Sequence, residues 1–344
     1  MQYWEEKILY IDIGAAFLKA ILVKISWTRS QNIIFHHKIP VVGVSINGIE
    51  NFQLFSNNIN KLIYEIEYET SEKVTKIILI YSYFTSSFIT SSSTITINNT
   101  VTSGDLQKFS KSKINSTQNK ILHYSYFFIL DYYLYVGNPV GMSSKFLTIQ
   151  QNYLLMNNSL FENINYIFQK IGYEVLSNFF GIYVLSEYIR NYQNNFIVID
   201  GGYYNTRLCL VENNILKEFF TINTGVYHLL QKISLKYKLS MQGAYDLVYK
   251  EGLINGNDID IITINQSYLN NLLEKTFNSF KSPIANTLDI PIFLNGWSFL
   301  HPAEYYLKLK YGRDFYVTST HFDWPPQFEY LYAMYELQKK NPNL

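Results

Sequence analysis

The stretch IVIDGGYYNTRLCLV, residues Ile197–Val211, carries the signal from which the fold can be inferred. An apolar strand runs into Asp-Gly-Gly, and a second apolar strand leads out of the turn. Several nucleotide-binding proteins use such a hairpin to wrap backbone N–H groups around a phosphate. Here Tyr203 and Tyr204 follow the glycines, and bulky rings hinder the approach of a phosphate to the backbone. The stretch predicts a phosphate-binding hairpin that has lost, or nearly lost, its ligand.

A second turn of the same kind lies near the start of the chain. The stretch KILYIDIGAAFLKAILVKIS, Lys7–Ser26, is again an apolar strand, a turn at Asp12-Ile13-Gly14 and another apolar strand. One Asp-Gly turn means little, because such turns are common in β-hairpins for steric reasons. Two of them, near the starts of two similar halves, can face each other across a cleft. Each then offers N–H groups to a polyphosphate and a carboxylate to its Mg²⁺.

A third turn follows near the end of the chain, in IPIFLNGWSFLHPAEYYLKLKYG, Ile290–Gly312. The pattern predicts a strand, a turn at Asn295–Ser298, and a helix with Pro302 in its first turn. Such a turn could bind an adenosine. The same pattern is also an ordinary way to connect a strand to a helix.

Length and composition limit the class of protein. The chain has 344 residues, enough for two domains or one large two-lobed domain, and its formal net charge of +1 argues against a nucleic-acid partner.

Cys209 is the only cysteine, so no intramolecular disulfide can form. Glu5 and Glu6 occupy the region where a secretory signal needs positive charge. The apolar run Ile121–Gly137 contains His and Asp and predicts two strands around a turn rather than a membrane span. These features predict a cytoplasmic protein.

The stretch ILHYSYFFILDYYLYVGNPVGMSSKFLTI, Ile121–Ile149, resembles the FtsA family of bacterial division proteins, which are actin-like ATPases. The matching pattern is ILH, a paired strand, NPVGM and a further strand. Upstream, Val101–Leu106 resembles the family's helix start, with Thr102 or Ser103 able to cap it. Downstream, Leu160–Val175 is similar to the family's next helix, and its apolar spacing predicts one buried face. The resemblance runs in order from Tyr10 to about Tyr335.

The resemblance implies an α/β chain with the actin/ribonuclease H-like bilobed fold and an inserted FtsA-type α/β subdomain. Residues 1–81 would form the first part of one lobe with the first phosphate loop, and residues 82–165 the inserted subdomain. Residues 166–344 would complete that lobe and form the second, with the second phosphate loop and the adenosine loop. The inserted subdomain would serve contacts between subunits and with other divisome proteins.

The resemblance also implies ATP and Mg²⁺ in the cleft, with Asp12 and Asp200 organising the metal. It assigns no catalytic residue. The residues expected to contact the nucleotide are those that match the family's phosphate and adenosine motifs: Asp12, Gly14, Asp200, Gly201, Gly202, Thr206, Gly225, Gly296 and Ser298.

Every one of these motifs departs from the family pattern. In the first loop Ala15, Ala16 and Phe17 replace a Thr, a small polar residue and a Lys. Tyr203 and Arg207 replace the third glycine and the final Asp of the second loop.

Bulky or apolar residues also replace the family's nucleotide contacts further along the chain. Tyr245 and Val248 occupy the positions that address the ribose and base, and Trp297 replaces a glycine of the adenosine loop. Filling a polar cleft with rings buries apolar area but excludes phosphate.

Two functions remain open. The first is a cell division scaffold that resembles FtsA, has a degenerate nucleotide site with ATP and Mg²⁺ weak or lost, and links FtsZ to the divisome by actin-like self-assembly. The second is an active actin-like ATPase in which Asp12 and Asp200 still organise Mg²⁺.

The expected partners are the C-terminal tail of FtsZ, other divisome proteins and further copies of the chain, at the inner face of the cell membrane at the division site. Thr276 and Ser279 stand where the family places an Arg and a Glu that grip the tail, so a charge-assisted grip is not expected. After Gln327–Leu344, which matches the last helix of the fold, no basic amphipathic helix follows. Membrane contact is therefore expected to be weak or indirect.

Overall fold

The computed structural model describes residues 5–26, 28, 30–45, 48–84, 86–109, 118–131, 133–135, 137–248, 259–281, 290–296, 307–308 and 310–341. The chain divides into two compact units. The first comprises Met1–Phe84, Ile167–Asn214 and Glu218–Leu344, and the second comprises Thr85–Tyr166 and Ile215–Lys217. The domain boundaries at residues 81 and 165 stay a prediction.

The described elements, in chain order, are β1 (Glu6–Ile13), β2 (Phe17–Ile25), β3 (Gln31–Pro40), β4 (Val44–Ser45), β5 (Gly48–Ile49), α1 (Phe52–Thr70), β6 (Lys76–Tyr81), β7 (Ser86–Thr96), α2 (Ser103–Gln107), β8 (Asn119–Leu130), β9 (Tyr133–Tyr135), β10 (Phe146–Asn157), α3 (Asn158–Ile171), β11 (Glu174–Phe180), α4 (Gly181–Ile189), β12 (Phe196–Gly201), β13 (Thr206–Glu212), β14 (Ile215–Ile222), α5 (Val226–Tyr237), α6 (Met241–Asp246), α7 (Ile259–Ser279), β15 (Ile292–Gly296), β16 (Phe315–Val317), α8 (Thr318–His321) and α9 (Glu329–Lys340). None of these described helices is both long enough and apolar enough to span a bilayer.

The two large sheets have the same topology. One has the strand order β11-β6-β1-β2-β3, and the other has the order β14-β13-β12-β15-β16. In each sheet the central strand, β1 or β12, pairs antiparallel with the strand that follows it and parallel with a later strand, β6 or β15. The repeated hairpin predicted from the sequence is confirmed, and in each half it forms the centre of a sheet with the same strand arrangement.

Apolar residues on both faces hold the second sheet in place. Ile197, Ile199, Leu208 and Leu210 are fully buried and belong to one core cluster, which also contains apolar residues of α5 and α7. The neighbouring residues of β12 and β13 are buried as well. The alternation predicted for the hairpin is confirmed, and the hairpin is fixed in the sheet whatever its turn binds.

The second unit contains an antiparallel sheet in the order β7-β10-β8-β9. The predicted strands around Ile121–Gly137 are confirmed as β8 and β9, which pair antiparallel. Thr102 caps α2: its side chain accepts from the N–H of Asp105, and the Asp105 carboxylate accepts from the N–H of Thr102. This capping box confirms the predicted helix start.

Candidate functional site

The first two Asp-Gly turns have the same tight backbone. A Cβ atom on Gly14 would lie 2.8 Å from the carbonyl oxygen of Phe17, and one on Gly202 would lie 2.8 Å from the carbonyl oxygen of Asn205. Gly14 already donates its N–H to the Phe17 carbonyl, at 3.1 Å. Both turns therefore require glycine because the backbone approaches itself, irrespective of any ligand.

Each turn places its aspartate opposite a basic residue. Asp12 faces Lys19 across β1 and β2, and Asp200 faces Arg207 across β12 and β13. The Lys19 ammonium donates to Asp12 Oδ2 at 2.7 Å, and Arg207 Nη1 lies 4.0 Å from Asp200 Oδ2. All four side chains are buried. Lys19 thus neutralises Asp12 through a direct hydrogen bond, whereas Arg207 only places its positive charge near Asp200, and its Nη1 makes no hydrogen bond to any described residue.

Sequence analysis missed the pairing of Lys19 with Asp12. Phe17 occupies the position of the family's lysine, and a lysine, Lys19, stands two residues later. The available signal was a repeated spacing: Lys19 follows Asp12 by seven residues, and Arg207 follows Asp200 by seven residues.

The third turn is joined to the second by hydrogen bonds and close backbone contact. Asn295 Nδ2 donates to Asp200 Oδ1 at 3.0 Å, and Thr318 Oγ1 donates to Asn295 Oδ1 at 2.7 Å. Gly296 has φ of +86°, and a Cβ atom there would lie 2.6 Å from the carbonyl oxygen of Gly201. Asp200 Oδ1 therefore has a hydrogen-bond partner in the Asn295 amide, while Oδ2 lies 4.0 Å from the Arg207 guanidinium.

The residues present do not fit a Mg²⁺ site. Asp12 Oδ1 has no hydrogen-bond partner among the described residues, but the Lys19 ammonium occupies the other oxygen. A divalent cation at either aspartate would meet a buried positive charge, which disfavours binding in a medium of low dielectric constant. Within the described ranges, no group of three or more His, Cys, Asp or Glu residues could hold a metal ion.

Four tyrosine rings, the tyrosine cluster of Tyr83, Tyr203, Tyr204 and Tyr227, pack around the second turn. The centroid of the Tyr204 ring lies 4.8 Å from that of Tyr203, 5.3 Å from that of Tyr227 and 6.1 Å from that of Tyr83. Such tilted and edge-to-face pairs stabilise one another beyond the area they bury. Burial raises the pKa of Tyr83 to about 12 and also raises the pKa values of Tyr203 and Tyr204.

The N-terminus of α5 is occupied by the same turn. The N–H groups of Val226 and Tyr227 donate to the carbonyl oxygens of Gly202 and Tyr203, at 3.0 and 2.8 Å. A Cβ atom on Gly225 would lie 2.5 Å from the Tyr203 carbonyl oxygen. Helix N-termini often bind phosphate through these N–H groups. In this chain the carbonyl groups of the turn, rather than a phosphate, accept the hydrogen bonds from these N–H groups.

The space left between the three turns is small. It measures about 40 Å³ and is bordered by Gly14, Lys19, Tyr203, Gly296 and Tyr330 among others. Pockets that bind small molecules and cofactors measure roughly 300–1,000 Å³. A void of this size holds a few water molecules and no nucleotide.

The start of α9 also borders this space, which sequence analysis did not predict. Gln327, Glu329 and Tyr330 line it, and Glu329 Oε1 accepts from the Gln327 N–H at 2.9 Å. Burial raises the pKa of Glu329. The Tyr330 ring lies against Gly181, where a Cβ atom would lie 2.7 Å from it. No local pattern signals this contact, because it joins residues far apart in the chain.

The structure brings together only some of the residues predicted to bind nucleotide. Gly14, Asp200, Gly202 and Gly296 border the small space, and Asp12 is linked to it through Lys19.

The other predicted residues do not line this space. Thr206 is fully buried and its hydroxyl donates to the Thr224 carbonyl oxygen at 2.7 Å. Gly225 packs tightly against the backbone of the second turn, and the Gly201 carbonyl oxygen lies against Gly296. Ser298 and Trp297 lie outside the described residues, as does the start of the helix predicted after them, whereas Leu307, Lys308, Lys310 and Tyr311 of that helix are described and helical.

No protein-family model matches the chain, and no curated protein sequence matches it. Solved structures do. The PilM-PilN type IV pilus biogenesis complex matches with a TM-score of 0.62 at 13% identity, over 96% of this chain and 98% of that chain. MreB 5 of Spiroplasma citri bound to AMPPNP matches with a TM-score of 0.55 at 10% identity, over 98% of this chain and 97% of that chain. The chain has the actin-like ATPase fold.

A third actin-like structure agrees. The ethanolamine utilization protein EutJ from Carboxydothermus hydrogenoformans matches with a TM-score of 0.55 at 10% identity, over 91% of this chain and 84% of that chain. Identities this low establish the fold alone. The predicted α/β, actin-like fold class is therefore confirmed.

Proposed function

We propose that the chain is an actin-like scaffold protein that assembles without binding ATP and Mg²⁺. The observation that carries the proposal is the small space at the phosphate turns, where only about 40 Å³ remains between the three turns. The pairs Asp12–Lys19 and Asp200–Arg207 support it, because they place a positive charge opposite each carboxylate that a metal–nucleotide complex would use.

Self-association would use the edge of the second unit. Strand β7 pairs with β10 and stands at the end of its sheet among the described strands. Its eleven residues, SSFITSSSTIT, include no charge and no proline, and the pairing with β10 runs without a register shift. Natural proteins usually protect long edges with charges, prolines or bulges, because exposed N–H and C=O groups pair with another strand. The matching partner is β7 of a second copy, which would join the two sheets edge to edge.

The narrower form of the proposal is an FtsA-like role at the inner face of the cell membrane at the division site, with contacts to the FtsZ tail and to other divisome proteins. The resemblance of Ile121–Ile149 supports it. The solved PilM-PilN complex is a related fold within a multiprotein assembly. Thr276 is fully buried and bonds to the Leu272 carbonyl oxygen, and Ser279 is partly buried and bonds to the Lys275 carbonyl oxygen, so an FtsZ tail would have to contact exposed positions of α7 such as Asn278.

Sedimentation of the purified full chain, with and without ATP and Mg²⁺, tests the proposal. We expect assembly that rises with protein concentration and is unchanged by nucleotide, with no release of phosphate. The competing function, an ATPase organised by Asp12 and Asp200, requires phosphate release and nucleotide-dependent assembly, and either result would overturn the proposal. Co-sedimentation with FtsZ, compared with FtsZ lacking its C-terminal tail, tests the narrower form.

A further inference from the structure

The C-terminal end of α5 exposes two leucines to solvent. Leu235 is 75% exposed, the highest value among the large apolar side chains that the structure describes, and Leu239 is 38% exposed. Every residue from Leu235 to Ser240 except Tyr237 is exposed. Apolar surface kept in water is unfavourable, so an exposed pair of leucines gains free energy from any contact that covers it.

Three lysines surround these leucines. Lys232, Lys236 and Lys238 are all exposed. Asp246 is the only acidic residue between Val226 and Val248, and its Oδ1 accepts a hydrogen bond from a glutamine amide at 3.0 Å. The surface therefore combines apolar side chains with an excess of positive charge. We call it the α5 tip and define it by Lys232, Leu235, Lys236, Lys238 and Leu239.

The turn after α5 holds the tip in one conformation. Lys238 has φ of +53° and ends the helix. The N–H of Leu239 donates to the Ser234 carbonyl oxygen at 3.0 Å, and the Ser234 hydroxyl donates to the Leu239 carbonyl oxygen at 2.6 Å. The Ser240 hydroxyl then accepts from the Gly243 N–H and caps α6. The leucines and lysines are thus presented together, and little ordering is needed when they bind.

The chemistry of the tip matches the surface of an anionic bilayer. Such a surface offers negatively charged headgroups and, directly beneath them, an apolar layer. Lysine side chains bury their methylene groups along this boundary while the ammonium stays at the headgroups. The tip is the end of a helix and its turn rather than a groove, so it suits a flat layer better than a protruding segment of another protein.

We propose that the α5 tip binds reversibly to a bilayer that contains anionic lipid, with Leu235 and Leu239 in the interfacial layer and the three lysines at the headgroups. The contact is reversible because a small apolar contact joined to a few charges is weaker than a stable membrane anchor. The proposal goes beyond scaffold assembly and does not rest on it.

Flotation of the full chain with lipid vesicles tests the proposal. We expect binding to vesicles made of equal parts phosphatidylglycerol and phosphatidylcholine, and little binding to vesicles of phosphatidylcholine alone. Binding should be lost as the salt concentration rises from about 0.1 M to about 1 M, because the Debye length then falls from about 10 Å to about 3 Å.

A charge variant tests the lysines. Each lysine near an anionic surface strengthens binding about fivefold, so Lys232→Gln combined with Lys238→Asn should weaken binding about twentyfold. The matched control is Lys61→Gln combined with Lys73→Gln. It removes the same charge from two exposed lysines that lie beside glutamates, and it should leave vesicle binding unchanged.

A second variant tests the apolar contact. Leu235→Ser should weaken binding to anionic vesicles about tenfold, because the leucine no longer leaves water. Leu54→Ser, at a residue that is 47% exposed on α1, is the matched control and should bind as wild type does.

The outcomes decide the proposal separately from the scaffold function. Equal flotation with both kinds of vesicle, no flotation with anionic vesicles at low salt, or wild-type binding by either tip variant would overturn it. Binding of polyglutamate without binding of anionic vesicles, lost in the lysine variant, would also overturn it, since the tip would then serve an acidic protein partner. The scaffold function fails through a different result, nucleotide-dependent assembly measured without lipid.

Discussion

At the scale of single residues, the two aspartates of the cleft each face a basic side chain of the neighbouring strand. A buried ion pair contributes little net stability, because desolvation of both charges offsets their attraction. Removing one partner is nevertheless costly, since the other charge stays buried and uncompensated. The closer pair, Asp12 and Lys19 at 2.7 Å, offers the clearer test.

We expect Lys19→Met to lower the free energy of unfolding by about 3–5 kcal/mol, as is typical of breaking a buried pair. The double variant Asp12→Asn with Lys19→Met removes both charges and should regain most of that loss. Urea denaturation of the three proteins measures the difference. Equal instability of the single and double variants would show that Lys19 acts through packing rather than through its charge.

Gly225 is expected to tolerate no side chain. Its Cβ atom would lie 2.5–2.6 Å from three backbone atoms of the second turn, which have no flexible end to move aside. We expect Gly225→Ala to cost about 2–3 kcal/mol, as overpacking does. Gly243→Ala is the matched control, because its Cβ atom would lie no closer than 3.4 Å to any neighbour. Thermal unfolding that ranks the two variants equally would contradict the tight packing of the turn on α5.

Cys209 gives a prediction for alkaline pH. Burial raises the pKa of its thiol from 9.0 to about 12. The folded chain therefore keeps a proton that the unfolded chain releases, so this contribution to stability is complete below pH 9 and is lost as the pH rises towards 12. The slope for one such group is about 1.4 kcal/mol per pH unit. The free energy of unfolding of Cys209→Ala, measured between pH 9 and 11, should fall less steeply than that of wild type. Parallel slopes would contradict the assigned burial effect.

At the scale of elements, β7 is an edge strand of its sheet among the described strands, and it carries no charge and no proline. Ile89 is 42% exposed there, and the side chains of Ser93 and Thr94 are exposed as well. Lysine on an edge strand is a common natural protection against edge-to-edge association, because two copies would bring like charges together.

We expect the double variant Ile89→Lys with Ser93→Lys to abolish self-association while the fold is kept. Tyr166→Lys, which changes a residue that is 61% exposed on α3, controls for added charge elsewhere. Sedimentation velocity compares the variants with wild type. Assembly of the edge variant at wild-type concentrations would place the contact on another surface.

The elements also show which structural features can be predicted from patterns of a few neighbouring residues. The hairpins around Asp12 and Asp200 could be predicted, because alternating apolar residues and Asp-Gly turns act over a few residues. The order of the strands that flank these hairpins was not predicted, because it depends on pairing with strands far along the chain. The cap at Thr102 was equally local.

The composition of the cleft could be predicted only in part. Tyr203 signalled that a ring fills the second turn. The pairing of Lys19 with Asp12 depends on strand register, and the approach of Tyr330 to Gly181 depends on packing between helices far apart in the chain. Neither contact can be predicted from residues that are neighbours in the sequence.

At the scale of the whole molecule, the fold favours nucleotide binding, whereas the size of the space between the three turns disfavours it. The actin-like ATPase fold is one in which nucleotide is expected, and MreB 5 of Spiroplasma citri is solved with AMPPNP bound. In this chain the turns are kept, but the space between them measures about 40 Å³. The sequence predicts that nucleotide contacts are lost at Tyr203, at Tyr245 with Val248, and at Trp297. Three lost contacts worth about 1.5–3 kcal/mol each exceed the roughly 4 kcal/mol that separates a micromolar from a millimolar ligand.

Calorimetric titration of the full chain with ATP and Mg²⁺ tests this central claim most directly. With the tyrosine cluster in place and a basic side chain opposite each aspartate, the account predicts no saturable heat at submillimolar nucleotide. A micromolar dissociation constant for ATP and Mg²⁺ would contradict it, because the cleft would then have to open and release Asp12 and Asp200 from Lys19 and Arg207.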